Sequence, residues 1–217
     1  HHGLSPNADD WAEFCLDYCN RLSIPIRIAH VQVKKGNSGI EAAARAERYR
    51  VFSDGLSDIL ALAHHQDDQV ETFMLAVARG GGLRSLAAMP QQRDLNTETK
   101  IWRPLLPFTR SDLQHYADLH HLDFIEDESN KDSAYLRNWL RNEALPAWRG
   151  RIPYFDRHIL SNIRSLQEDL ELLDEIVRQD YEFVYGGGKF SVAKWRNLGS
   201  RRRRHVLRHF VLQHGLG

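Results

Sequence analysis

The chain has 217 residues, 29 of them basic and 29 acidic, so its formal net charge is zero and its pI lies near 7.4. That length accommodates one substantial domain plus a smaller one; the neutral balance excludes a polyanion-binding field spread over the whole molecule, and no apolar run reaches the ~18 residues of a membrane span. Cys15 and Cys19, at i, i+4 on one expected helix, have neither disulfide geometry nor the C-x-x-C spacing of redox and metal sites. With no signal-peptide pattern at the front, a reduced, cytoplasmic protein is expected.

His1-His2-Gly3-Leu4-Ser5 reads as the end of a strand running into a loop, so the chain is expected to be a fragment trimmed at its front. Asp9 or Asp10 can cap a helix whose apolar positions Trp11, Phe14, Cys15, Tyr18 and Leu22 keep a helical period until Ser23-Ile24-Pro25 ends it. Ile26 to Val33 alternates like a half-buried strand, Lys34 to Gly39 is a loop, and Ile40 to Phe52 is an Ala- and Arg-rich helix closing near Ser53-Asp54-Gly55. Asp58 to Ala63 is an apolar run of strand length. It leads through His64 and His65 into a helix whose buried face is Val70, Phe73, Met74 and Val77.

Arg79-Gly80-Gly81-Gly82 can stop that helix and can also approach a ligand closely. Gln91 to Thr99 is polar and aperiodic, hence an exposed loop. Ile101 to Leu106 recovers apolar character, Thr109 opens a helix through Leu119, and Leu122 to Ile125 is a short strand before the acidic turn Glu126-Asp127-Glu128-Ser129-Asn130. Tyr135 to Asn142 is helical, with Arg137 and Arg141 projecting from one face, and Pro146 and Pro153 suggest a boundary. Ile159 to Val184 is a long amphipathic helix. After Gly186-Gly187-Gly188 a small Arg-rich helical unit runs to Gly217, with too few residues to close a core of its own.

The alternation of helix and strand implies an α/β class: a Rossmann-like, mostly parallel sheet with helices on both faces, then a long linker helix and a small, mainly helical C-terminal unit. The expected divisions are residues 1–150, 151–185 and 186–217. In such folds a strand-to-helix turn at the carboxyl end of a strand is where ligands bind, which singles out His64 to Thr72. Asp67 and Asp68 both neighbour Glu71 on the helix face. Helix capping explains an acid or two; imidazoles beside carboxylates also suit a divalent cation or a cationic substrate. Zinc fits less well, because His64 and His65 are adjacent and no cysteine is near.

Taken together, His2-Gly3-Leu4-Ser5, Gly39-Ile40-Glu41-Ala42 with Arg45 and Arg48-Tyr49, His64-His65-Gln66-Asp67-Asp68-Gln69-Val70-Glu71-Thr72, Arg79-Gly80-Gly81-Gly82, Arg103-Pro104-Leu105-Leu106, Glu126 to Asn130, and Arg137-Asn138 with Arg141 resemble the bacterial tRNA(Ile)-lysidine synthetases of the PP-loop ATP pyrophosphatase superfamily. The resemblance covers most of the chain up to about Pro146. It implies a PP-loop domain over 1–150, incomplete at its N-terminus, a linker helix over 151–185, and the start of a tRNA-binding domain over 186–217. The implied reaction is ATP-dependent adenylation of the wobble cytidine of a tRNA(Ile) with a CAU anticodon, followed by attack of free L-lysine. The enzyme would be a carbon–nitrogen ligase using ATP and Mg2+, with a homodimer as the self-association to test.

On that resemblance Arg45, Asp68 and Arg137 are expected to be catalytic, with Arg45 and Arg137 stabilising phosphate or adenylate. Asp68 and Glu71 would bind lysine; His64, His65, Asp67, Arg79 and Gly80 would wall the ATP site; Asp67 would meet magnesium; Arg141, Arg201, Arg202 and Arg203 would contact tRNA. Rival readings are a tRNA thiolase of the same fold, a metal-dependent phosphoesterase and a non-catalytic nucleic-acid-binding module. The largest departure from the family is that its phosphate loop, S-G-G-x-D-S, occurs nowhere in the chain. This polypeptide by itself, given ATP, tRNA and lysine, is therefore expected to release no pyrophosphate in a coupled phosphate assay; release above the no-enzyme rate would contradict that.

Overall fold

The computed structural model describes residues 1–33, 40–54 and 58–215. The loop expected at Lys34 to Gly39 and the glycine expected to end a helix at Gly55 lie outside the described residues. Two units emerge, His1–Gln66 with Gln91–Asp132, and Asp67–Pro90 with Ser133–Gly217.

In the first unit the helices are α1 (Ala8–Arg21), α2 (Ile40–Phe52) and α5 (Arg110–Leu119), and the strands are β1 (Ile59–Ala61), β2 (Gln92–Asp94) and β3 (Lys100–Trp102). The sheet order is β1-β3-β2, with β1 and β3 parallel and β2 antiparallel to β3. Ile101, at the middle of the central strand, is fully buried. Apolar residues flanked by crossover-length connections give the α/β class read from the sequence. Thr109 caps the N-terminus of α5 with a capping box: its hydroxyl accepts from Asp112 N–H while the Asp112 carboxylate accepts from Thr109 N–H.

Three expectations are corrected. Gln91 to Thr99 is not a structureless loop. It forms β2 and a turn in which the Asn96 side chain accepts from Glu98 N–H and Thr99 N–H at 2.9 and 2.7 Å, chemistry that looks like a loop because the turn residues are polar. Ile26 to Val33 is extended without a ladder: Val31 N–H donates to His1 O and the His1 amino group donates to Ala29 O, and one facing residue does not make a strand pair. Leu122 to Ile125 is likewise no strand, and Phe124 is half exposed.

The second unit contains α3 from Asp67 onward (α3 is Gln66–Ala78), α4 (Leu83–Leu86), α6 (Leu136–Trp139), a π-turn at Leu140–Ala144, α7 (Leu145–Arg151) and the 30-residue α8 (Phe155–Val184), about 45 Å long. Pro146 was expected to break the chain and instead sits in the first turn of α7. The π-turn before it explains this: widening the helix removes the i→i−4 bond that proline cannot make and relieves the ring's clash with the carbonyl one turn back. Pro153 lies in the turn between α7 and α8, where Tyr154 adopts φ +58. The core cluster of Val70, Leu140 and Leu145 is sealed by Met74, Phe155 and Leu160.

Beyond α8 the chain turns through a hairpin, β4 (Tyr185–Gly186) and β5 (Lys189–Phe190), whose two linking glycines, Gly187 and Gly188, both have positive φ, as a twist-compatible two-residue hairpin turn requires. α9 (Val192–Asn197) and α10 (Ser200–Gln213) follow. Val206 on α10 is fully buried, and the Asp180 carboxylate on α8, itself buried, is gripped by both arms of the Arg202 guanidinium. Removing the cation strands that carboxylate. Arg202→Ala is expected to lower the melting temperature by more than Arg204→Ala does; equal melting curves for the two variants would contradict the strut.

Candidate functional site

Val70 is driven into the core of the second unit, and because it lies between Asp68 and Glu71 on α3 it carries both carboxylates inward. Glu71 is 1% exposed and Asp68 8%. Taking a carboxylate out of water costs several kcal/mol unless a cation and hydrogen bonds replace the water. Arg137 on α6 and Arg141 in the π-turn supply them.

Arg141 grips Glu71 two-pronged, Nε to Oε1 at 2.5 Å and Nη2 to Oε2 at 2.9 Å, and its Nη2 stands 3.5 Å from Asp68 Oδ1. Arg137 bridges the two acids, Nε to Glu71 Oε2 at 2.8 Å and Nη2 to Asp68 Oδ1 at 2.9 Å. The hydrogen bond to Glu71 holds the Arg141 guanidinium above its ordinary pKa against the opposing effect of burial. Two anions thus face two cations. The outer edge of this square is Arg137, Arg141 and Asp68, whose side chains are 28%, 25% and 12% exposed; Glu71 lies behind them.

A second ion cluster runs beside it. Arg149 on α7 donates from Nη2 to Asp67 Oδ1 at 3.0 Å and from Nε to both Asp156 oxygens at 2.9 and 3.0 Å. It joins the start of α3 to the start of α8. Burial lowers its pKa, but the bonds and charges of Asp156 and Asp67 outweigh that and leave it raised.

Of the residues expected to form the site, Asp67, Asp68, Glu71, Arg137 and Arg141 are brought together. Arg79 and Gly80 end the same helix about 18 Å along its axis from Asp67. Gly80 is left-handed (φ +66), and a Cβ on Gly81 would stand 2.8 Å from that of Ser85, so the glycine run is required by the α3–α4 junction itself. Arg201, Arg202 and Arg203 all lie on α10. In the first unit, His64 and His65 are half-buried between β1 and α3, and Arg45 stacks 5.1 Å from the Tyr49 ring while donating to its hydroxyl at 3.3 Å.

Sequence reading missed two features. Arg93 also lies over Tyr49, at 5.7 Å, and buried Arg103 adjoins the group; burial lowers the Arg103 pKa, with Arg93 and Arg45 adding to the effect and Tyr49 opposing it. Arg149 was invisible because its partner Asp67 is 82 residues away. For magnesium, no group of three His, Cys, Asp or Glu side chains gathers as ligands among the described residues. Since Asp67 and Asp68 are already committed to guanidiniums, these residues do not form a metal cage.

Residues 1–148 match the family model for the PP-loop domain. Over 216 residues and the whole chain, the sequence is 56% identical to a tRNA(Ile)-lysidine synthase of Neisseria meningitidis serogroup B. It is 43% identical to one from Chromobacterium violaceum over 95% of the chain, and 42% identical to one from Haemophilus influenzae over all of it. The chain spans 51%, 48% and 50% of those relatives, about half the length of each. Among solved structures it resembles the U34-tRNA thiolase NcsA from Methanococcus maripaludis with its [4Fe-4S] cluster, at a TM-score of 0.59 and 17% identity, covering 79% of this chain and 60% of that one; at that identity the likeness establishes the fold.

The ion square makes a quantitative prediction. Arg141→Ala should cost roughly 2–4 kcal/mol of unfolding free energy, discounted for the partial exposure of the guanidinium. Adding Glu71→Gln to that variant should restore part of the loss, because the stranded charge is removed. Additive losses in denaturant titrations would contradict the pairing.

Proposed function

The chain belongs to the PP-loop domain family, and from that premise we propose that it is the core of a tRNA(Ile)-lysidine synthetase, a carbon–nitrogen ligase acting in the cytoplasm. The single observation that carries the reading to a substrate is the ion square: two carboxylates and two guanidiniums, with Asp68 and both guanidiniums at the accessible edge. Such an edge complements a zwitterion. The α-ammonium of free lysine replaces a guanidinium on Asp68, and its α-carboxylate takes the two-pronged guanidinium of Arg137. Glu71, 1% exposed, acts from behind by holding Arg141 and Arg137 in place. Arg137 is thereby moved from the phosphate role expected of it to the amino-acid head group.

This orientation has a chemical reason. The ε-amine must lose its proton before it can attack, and a carboxylate contact would hold it protonated. Seating the head group on Asp68 and Arg137 leaves the ε-amine clear of both acids. In the proposed sequence the carbonyl oxygen of the wobble cytosine attacks the α-phosphorus of ATP and pyrophosphate leaves. The ε-nitrogen of lysine then bonds to the ring carbon bearing that oxygen, the carbon–oxygen bond breaks, AMP departs with the oxygen, and the surplus proton goes to solvent.

Nucleotide contacts are proposed for the first unit, through Arg45, His64 and His65, because a guanidinium fork suits phosphoryl oxygens. Magnesium is proposed only as the counter-ion that ATP brings; ions of this kind keep waters and phosphates as most of their ligands. The division into a PP-loop domain over 1–150, a linker helix over 151–185 and the start of a tRNA-binding domain over 186–217 is carried forward as part of this reading.

Mass spectrometry of nucleosides from tRNA incubated with ATP, lysine and the protein expressed over its full reading frame tests the function. One cytidine should gain the mass of lysine less water. Asp68→Ala should weaken lysine use by about tenfold or more while leaving tRNA-dependent AMP transfer within a few-fold. Unmodified cytidine in the wild-type reaction would refute the function, and an unchanged lysine requirement in the variant would refute the seat.

A further inference from the structure

Three guanidiniums converge on one phenol in the first unit, and the strand register brings them there. Arg93 on β2 stands opposite Ile101 on β3, and directly opposed residues point to the same face of a sheet. Arg103 is two residues beyond Ile101, and its N–H extends the pairing by donating to Gln91 O at 2.9 Å, so it shares that face. Tyr49, on α2, meets both arginines. Arg45, one turn earlier on the same helix, completes the group.

Such a cluster opposes folding. Arg103 is 2% exposed, and burial lowers its pKa, with Arg93 and Arg45 adding to the effect by repulsion. Among the described residues neither Arg45 nor Arg93 meets a carboxylate. What offsets the repulsion is Tyr49. A phenol oxygen has two acceptor lone pairs, and this one accepts from Arg45 Nη2 at 3.3 Å and from Arg103. Its ring stands 5.1 Å from the Arg45 guanidinium carbon and 5.7 Å from that of Arg93, a contact in which the ring face attracts the cation. Phe52 in turn packs edge-on to that ring at 6.0 Å.

We propose that Tyr49 is a positioning residue: its hydroxyl and ring fix the Arg45 guanidinium, with buried Arg103 as the anchor, in the pose that receives the phosphates of the nucleotide. This rests on the reading of the first unit as the part that contacts ATP. An exposed arginine ordinarily samples many rotamers, and Arg45 is held at two points, by a hydrogen bond and by a stack. The ordering cost is then met before the nucleotide arrives. Cations gathered without a carboxylate are unfavourable in the free protein and become favourable when an anion joins them, a conflict found where a protein has a ligand to bind. Tyr49 and Arg103 act through Arg45 and touch no substrate themselves.

The test uses the protein expressed over its full reading frame, with ATP affinity measured by calorimetry and KM for ATP and for lysine measured in lysidine formation. Tyr49→Phe keeps the ring and removes the hydroxyl; it should weaken ATP affinity and raise KM for ATP by about threefold or more, while KM for lysine stays within about twofold. Tyr49→Leu, which also removes the stack, should cost more. In an Arg45→Ala background, Tyr49→Phe should change ATP affinity by less than about twofold, because the group it positions is gone. A residue that merely supported the fold would act equally with or without Arg45. An additive loss in that background, an unchanged ATP affinity in Tyr49→Phe, or no ATP binding by the wild type would overturn the positioning role. ATP binding that depends on Tyr49 only when Arg45 is present, in a protein that forms no lysidine, would refute the enzyme reading and leave the positioning role standing; lysidine formation with additive losses would do the reverse.

Discussion

The burial of Glu71 is the constraint on which the second unit depends. Val70 cannot enter the core with Leu140 and Leu145 without bringing the adjacent carboxylate with it. A carboxylate in that position has to be matched by cations, and the cations must arrive from the segment that supplies the core partners. Arg137 and Arg141 flank Leu140 in sequence, so one stretch delivers the apolar contact and both guanidiniums. The π-turn at Leu140–Ala144 admits Pro146 to the following helix and keeps Leu140 and Leu145 inward. Packing and charge neutralisation are therefore a single arrangement.

That arrangement also determines what the site can bind. An unpaired acid face would attract any cation. A face neutralised by guanidiniums offers no net field and instead offers exchange: a ligand with both charges can replace an internal contact with its own. Ion pairing of a buried carboxylate recurs at α10, where Arg202 is held by Asp180 and Arg203 lies over the Trp195 ring.

Much of this was legible in the sequence. The helical period of Val70, Met74 and Val77 gave α3, although Val77, expected on its buried face, is exposed, and the i, i+3 and i, i+4 spacings of Asp68 and Asp67 to Glu71 placed the acids together. The spacing of Arg137 and Arg141 showed one face. What that spacing could not show was that the arginines and the acids are each other's partners, because their separation is 66 to 70 residues and local periodicity carries no information about such pairs. Arg149 was hidden for the same reason. Short strands were the weakest point: Ile26 to Val33 alternates like a strand but, among the described residues, its backbone bonds run to His1 and form no ladder, while Gln92–Asp94 pairs despite being wholly polar. Strand pairing is decided by the partner, which propensity does not contain.

The central claim is that lysine enters by exchanging ion pairs at the outer edge of the square. The side-chain Nε–H resonances of the arginines report this directly when isotope-labelled protein is titrated with L-lysine. The Arg137 resonance should shift as its bond to Asp68 is replaced while its bond to Glu71 is kept, and lysine methyl ester, lacking the carboxylate, should have a much weaker effect. Saturable lysine binding that leaves Arg137 unmoved, or that the methyl ester reproduces in full, would contradict it.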